Sequence, residues 1–271
     1  MNIVYAGNYK VFDGLLISVL SVISHTKSKV DIYVLSLDLS YLNDEYKSIS
    51  KADIDLLTKQ VKQVNPQSSV TLIDVRQQFD KHLKHSKNLV NRYTPYALLR
   101  LLIDKLDKMP DKVIYLDVDT IVNRDLSELA NIDISNYELA ATRDRYGRFF
   151  LGPNYCNSGV LLLNVKMIRK TGLFTKVIAL LAQKEVFLSD QTGINRMAKK
   201  IKILPRRFNE QKRVRNDTVV RHFSMQFRIF PRFHFVNIKP WDVDKVRTVY
   251  KCHHFDDLLD EYLQIIKFRS K

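Results

Sequence analysis

Cysteine is nearly absent, with Cys156 and Cys252 the 2 thiols in 271 residues. So distant a pair makes neither a metal-ligand spacing nor a disulfide framework, and a reducing cytoplasm fits. Long apolar runs are missing too. The most apolar early stretch, GLLISVLSVI at 14–23, is ten residues long, against the roughly 18 needed to cross a bilayer. It lacks a basic segment in front and a small-residue site behind, so neither a membrane span nor a cleaved leader is expected. No internal repeat, low-complexity tract or linker divides the first 200 residues. A hydrophobic fraction of 45% with 27% charged residues excludes a disordered chain and leaves one substantial core or two modest ones.

Acidic side chains are outnumbered, 29 against 44 Lys and Arg, a net charge of +15. From Lys199 to Lys271 there are 18 basic and 8 acidic residues, +10 in 73 positions. Such an excess implies an anionic partner: a phosphate-bearing substrate, an acidic membrane surface or nucleic acid. A solvated lysine surface is the plain alternative.

What the chain does contain is alternation. NIVYAGN opens as a strand and breaks at a Gly-Asn turn. VFDGLLISVLSVISHT then carries helical spacing at Leu15, Leu16, Val19, Leu20 and Ile23, with Asp13 as candidate N-cap. VDIYVLSLD reads as a second strand, 51–64 as a helix, SVTLIDV as a third strand and YTPYALLRLLIDKL as a helix after a proline turn. A fourth strand follows at 113–117. Alternating elements of this kind predict an α/β fold, a mostly parallel sheet flanked by helices. Such sheets bind ligands at the carboxyl ends of their strands, where Asn8 and Asp117 fall.

The fourth strand sits in VIYLDVDTIV, where Asp117 and Asp119 flank Val118. Two carboxylates at the end of a buried strand are costly unless a divalent cation compensates them. The alternative is an aspartate turn satisfied by its own backbone. Beyond it come ELAATRDRYG, NYCNSGVLLLN, FLSDQTGIN, VVRHFS and NIKPW.

In this order and spacing the chain resembles the family-8 retaining glycosyltransferases, which include bacterial lipopolysaccharide galactosyltransferases and glycogenin. The resemblance runs from residue 3 to about 245. It implies a GT-A fold over 1–245, with 246–271 as a basic helical C-terminal extension. It also implies metal-dependent transfer of glucose or galactose from a UDP-sugar to a glycan, lipid-linked or protein acceptor, with retained anomeric configuration. Mn²⁺ is the expected ion, with Mg²⁺ second.

The resemblance assigns roles residue by residue. Asp117, Val118 and Asp119 match the family's DxD motif, and the third metal ligand is a histidine ahead of Lys239, Pro240 and Trp241. His222 and His234 both qualify; His222 is favoured because strand residues precede it and an aromatic follows. Lys239 would meet the diphosphate as a point charge. Asn8 and Tyr9 match the nucleotide-binding pair, Ala6 would let uracil approach the backbone, and Gly7 stands where the family often has an acid. Arg100 matches an arginine over donor phosphate and sugar; a helix also simply needs a polar face. For the sugar the family uses the counterparts of Asp144, Asn157, Ser158, Gly159, Asp190 and Gln191. Asp190 could be a covalent nucleophile. Front-side displacement, with Gln191 stabilising the transition state, is favoured because no second glycosidase-like carboxylate is evident.

Two rivals come from other classes. A haloacid-dehalogenase-type phosphohydrolase also begins with strand and Asp-x-Asp, but wants Thr where Ile121 stands, and near the start of its domain. A nucleic-acid-binding module would use the basic, aromatic RHFSMQFRIFPRF, yet no recognition motif accompanies it. That stretch reads better as a membrane-facing surface, with Phe223, Phe227, Ile229, Phe230, Phe233 and Phe235 among Arg221, Arg228 and Arg232. A cytoplasmic enzyme peripheral on an anionic leaflet is therefore expected.

Overall fold

The structure is a computed structural model, and it describes residues 1–89, 94–228 and 234–269. Ile229, Phe230, Arg232, Phe233 and the side chains of Arg228 and His234, all invoked above, lie outside the described part.

Alternation in the first strand, β1 (Asn2–Ala6), already fixes a two-sided core. Ile3 and Tyr5 enter one hydrophobic cluster, Val4 and Ala6 the other, as the two-residue period of a strand requires. The remaining strands are β2 (Asp31–Ser36), β3 (Ser69–Asp74), β4 (Lys112–Leu116), β5 (Thr120–Val122), β6 (Leu139–Arg143), β7 (Cys156–Asn164), β8 (Ile201–Leu204), β9 (Val220–His222), β10 (Gln226–Arg228) and β11 (His234–Val236). The central sheet has 7 strands in the order β3-β2-β1-β4-β7-β6-β8. β7 runs antiparallel to both β4 and β6, and the other pairings are parallel. CNSGVLLLN is strand throughout.

β1 and β4 are parallel neighbours, with Ile3 opposite Ile114. Ala6, Asn8 and Asp117 therefore share one carboxyl edge of the sheet. The first helix, Phe12–His25, covers this region with an almost wholly buried surface. Asp13 lies inside its first turn, a favourable place for an acid against the helix dipole, and Val11 holds the cap position. The Lys51–Val64 helix matches its expected bounds and begins with a reciprocal cap between Ser50 and Asp53.

The segment expected as an α-helix after the proline is a 3₁₀ helix, Pro95–Lys105. Pro95, Tyr96 and every residue from Leu98 to Asp104 are buried, so packing on all sides overrides local α-helical preference.

The C-terminal helix, Asp256–Arg269, docks on the first helix and buries Leu259 and Tyr262 in the same core cluster. Residues 246–271 hold five basic and four acidic side chains. The late positive charge consequently belongs to 199–245, with thirteen basic and four acidic residues; the description of 246–271 as basic is corrected. No helix among the described residues is long and apolar enough to cross a membrane.

Candidate active site

The Asp117–Asp119 turn joins β4 to β5, and β5 pairs antiparallel with β9, setting Thr120 opposite His222. That pairing delivers an imidazole from a hundred residues downstream onto the two carboxylates. His222 Nε2 lies 3.1 Å from Asp119 Oδ1 and 3.9 Å from Asp117 Oδ2. Among the described residues, ligating atoms of Asp117, Asp119 and His222 all fall within 4.8 Å of one another. Gly159, on β7, gives the ring its space: a Cβ there would stand 2.2 Å from His222 Cε1 and 2.8 Å from Asp117 Oδ2.

The imidazole is oriented from behind. Asp144 Oδ2 accepts from Asn157 Nδ2 at 2.9 Å, and Asn157 Oδ1 accepts from Gly159 N at 3.0 Å and Asn209 Nδ2 at 2.9 Å. Asn209 therefore presents Oδ1 to His222 Nδ1, 3.2 Å away. An acceptor at Nδ1 makes that nitrogen the donor, which leaves the Nε2 lone pair of the neutral ring facing two carboxylates. Such a donor set is repulsive without a cation between its members, and oxygen with imidazole suits Mn²⁺. The residues fit a divalent metal.

Asp119 is buried, which by itself would raise its carboxyl; neighbouring positive charge, Lys239 foremost, outweighs burial and holds it well below the usual carboxylate range. Lys239 Nζ pairs with Asp119 Oδ2 and donates to the Phe223 carbonyl at 3.2 Å. Trp241 packs against the first helix at Gly14, where a Cβ would meet the indole at 2.3 Å, and this anchors the Lys-Pro-Trp segment.

Arg100, reaching in from the 3₁₀ helix, is 4% exposed. Its guanidinium donates to Asp117 Oδ1 at 2.8 Å, the Ser158 carbonyl at 2.5 Å and the Ala97 carbonyl at 3.0 Å, and Nε lies 3.2 Å from Asp190 Oδ2. Every nitrogen is thus engaged by protein. Ser158 Oγ also donates to Asp190 Oδ2, at 3.2 Å. Burial raises the Asp190 carboxyl above its ordinary value, against the pull of Arg100. Gln191 accepts from Ser158 N at 3.0 Å and donates to Asp144 Oδ2 at 3.4 Å. Asp144 Oδ1 takes the backbone N–H groups of Tyr146 and Gly147 at 3.0 and 2.6 Å.

Along β1's edge, Asn8 is buried and donates to the Glu45 carbonyl at 3.3 Å, while Tyr9 is exposed. Gly7 explains its own departure from the family pattern: a Cβ would meet Val11 Cγ2 at 2.5 Å, and Val118 lies at 3.9 Å. Any side chain there would require Val11 to give way. The structure thus joins Asp117, Asp119, His222, Lys239, Arg100, Asp144, Asn157, Ser158, Gly159, Asp190 and Gln191 in one bonded network. Ala6, Asn8 and Tyr9 stand beside it. Asn209 and Tyr115, whose hydroxyl donates to Asp117 Oδ1 at 3.0 Å, were missed; Asn209 sits in no motif and only the fold brings it in, whereas Tyr115 stands in VIYLDVDTIV two residues before Asp117, a spacing that places both on one face of the strand.

The family model for glycosyl transferase family 8 matches residues 2–245. The chain belongs to that family. A Haemophilus influenzae protein whose name carries the word glycosyltransferase is 30% identical over 222 residues, 77% of this chain and 63% of its own length. Streptococcus pneumoniae glycosyltransferase GlyA is 29% identical over 178 residues, 65% of this chain and 22% of that protein. The chain therefore spans less than two thirds of either relative. Among solved structures, the galactosyltransferase LgtC, with donor and acceptor sugar analogues, is 20% identical at a TM-score of 0.69, covering 96% of both chains. That likeness establishes the GT-A fold. The phosphohydrolase and nucleic-acid readings are not favoured.

Proposed function

We propose that the protein transfers a hexose, glucose or galactose, from a UDP-sugar to a saccharide-bearing acceptor with retention of configuration. The observation that carries this reading is the convergence of Asp117, Asp119 and His222 at the carboxyl edge shared by β1 and β4. In this reading those three residues hold Mn²⁺, or Mg²⁺ in second place, which supplies Lewis-acid stabilisation of charge growing on the leaving diphosphate. Lys239 donates to a diphosphate oxygen. Ala6, Asn8, Tyr9 and Val118 line the uridine side.

Arg100 acts through Asp117, Asp190 and Ser158, which its Nη2, Nε and Nη1 hold in place. Asp144 and Asn157 bind sugar hydroxyls, and Gly159 makes room for His222. Asp190 is capped by Arg100 and Ser158, which disfavours it as a free nucleophile. We infer front-side displacement. The bond from the anomeric carbon to phosphate oxygen breaks while the acceptor oxygen bonds on the same face, and the acceptor proton passes to the phosphate. The Gln191 carbonyl, fixed by Ser158, stabilises the developing positive charge.

A screen of UDP-sugars for Mn²⁺-dependent hydrolysis tests this. UDP-glucose or UDP-galactose should be cleaved, chelation should stop it, and Asp119→Ala should abolish it with the fold intact. His222→Ala should weaken Mn²⁺-supported UDP binding far more than His234→Ala. Phosphate release from simple phosphoesters, with every UDP-sugar untouched, would overturn the assignment.

A further inference from the structure

The strand that supplies His222 has another face. Arg221 and Phe223 flank the ligand and point to the opposite side of β9, where they line an open cavity of about 1170 Å³. Its walls come from segments far apart in sequence: the turn after β5, residues 145–146 beside Asp144, the 212–216 loop, the start of β10 and residues 250–254. Seven Lys and Arg side chains line it, against Asp125 and Glu128.

Two of those cations are already committed. Arg221 donates to the carbonyls of Glu210 and His222, and Arg215 lies 3.3 Å from Glu210 Oε2. Arg124, Arg145, Lys212, Arg213 and Lys251 have no carboxylate partner among the described residues. Glu128 is taken by Arg207 at 2.6 Å. Arg145 Nη1 is, moreover, buried without an acceptor among the described residues. Like charges gathered around a hollow repel one another and lower the energy of any anion that enters. Nothing in the proposed transfer uses them.

Aromatic rings share the wall. Tyr146 and Phe227 pack with centroids 4.4 Å apart, and the Tyr146 hydroxyl accepts from Phe227 N at 3.1 Å. Rigid rings beside guanidinium groups suit a sugar ring joined to a compact, multiply charged anion. A flat polyanion would call for an extended stripe, whereas these cations converge on a hollow.

We propose that this cavity is a second anion site, which binds the phosphate of a phosphorylated saccharide. Asp144 turns toward the donor-sugar network while Arg145 and Tyr146 line the cavity. A phosphorylated acceptor held there would lie behind the reacting centre, and in that form the inference rests on the proposed transfer. A free phosphorylated sugar acting as an effector would use the same chemistry.

Calorimetry of hexose 6-phosphate against the full chain, with UDP and Mn²⁺ saturating the donor site, tests the site itself. Hexose 6-phosphate should bind saturably and free hexose at least tenfold more weakly. Arg145→Gln combined with Arg213→Gln should weaken binding at least tenfold and leave Mn²⁺-dependent UDP-sugar hydrolysis unchanged. Lys212→Gln with Lys251→Gln, both exposed in the wild type, repeats the test should the first pair fail to fold. Glycosylation of the phosphorylated sugar, seen by mass spectrometry, would identify the acceptor as the source; binding without consumption would identify an effector. Because binding is read without turnover, it stands even if no UDP-sugar is cleaved. Undiminished binding in both double variants, or equal affinity for the unphosphorylated hexose, would overturn the proposal.

Discussion

Asn209 and His222 are joined through Oδ1 and Nδ1 at 3.2 Å, and the direction of that bond is set two residues further back, at the Asp144 carboxylate. Asp144 cannot donate, so Asn157 must offer it an amide N–H; Asn157 then turns its oxygen to Asn209, and Asn209 its oxygen to His222. The donor-sugar residues and the metal-ligand residue thereby form one hydrogen-bond chain. Outer partners of a ligating histidine typically control metal affinity by 10- to 100-fold. Asn209→Leu, similar in volume and unable to accept, should weaken Mn²⁺ binding by about that factor. Electron paramagnetic resonance of free Mn²⁺ reads this without turnover, and an unchanged affinity would leave Asn209 a packing residue.

Gly159 predicts a complementary failure. Its φ lies outside the left-handed region, so an alanine there meets a steric obstacle alone, the His222 ring 2.2 Å away. The ring is the movable part, because the strand is fixed on both sides by β4 and β6. Gly159→Ala should therefore displace His222, weaken Mn²⁺ binding at least tenfold and cost about 1–3 kcal/mol of stability. Urea unfolding with Mn²⁺ titration separates the two effects; wild-type affinity would disprove the crowding.

The Asp190 carboxyl sits above its ordinary value of 3.8, with burial as the leading cause. A group raised in the folded state contributes stability that is full below its unfolded value and is lost as pH rises through the folded one. Asp190→Asn mimics the protonated form and removes that dependence. The variant should therefore gain stability relative to wild type as pH rises from 3.8 toward neutral. Denaturant midpoints at several pH values check the slope, and a gain toward acid would reverse the sign.

Much of this was readable in the chain, and the misses share a cause. Periodicity delivered β1 to β4, the Lys51–Val64 helix and the carboxyl edge with Asn8 and Asp117, because each depends on local spacing. The DVD turn and VVRHFS identified Asp117, Asp119 and His222 as candidates, and β5–β9 pairing brings them together. The 3₁₀ geometry of Pro95–Lys105 was not legible, since it reflects burial on every side. Asn209 was invisible because RRFNEQ carries no pattern and its meaning arises from contacts 13 and 52 residues away. The aromatic-arginine run was misread in part: Arg221 and Phe223 are buried and Phe227 packs on Tyr146 and Phe235, while Phe235 is exposed as a surface residue would be.

That correction moves the membrane proposal to other residues. Phe149 and Phe150 are 70% and 81% exposed on the short helix Gly147–Phe150, with Leu151 exposed beside them. Arg148 stacks on Phe149, its guanidinium carbon 4.6 Å from the ring centroid. Two neighbouring exposed rings, one of them stacked by a cation, are suited to the headgroup boundary, and juxtamembrane basic residues add about 1 kcal/mol each near an anionic surface. We predict reversible binding to an anionic leaflet. The protein should co-sediment with anionic vesicles at low salt and be released near half-molar salt, where screening shortens to a few ångströms. Phe149→Ser with Phe150→Ser should reduce the bound fraction and leave UDP-sugar hydrolysis intact. Equal binding to neutral and anionic vesicles would reject the electrostatic component, unchanged binding by the double variant would remove these two rings from the contact, and no binding to either vesicle would point to an acceptor reached away from the membrane.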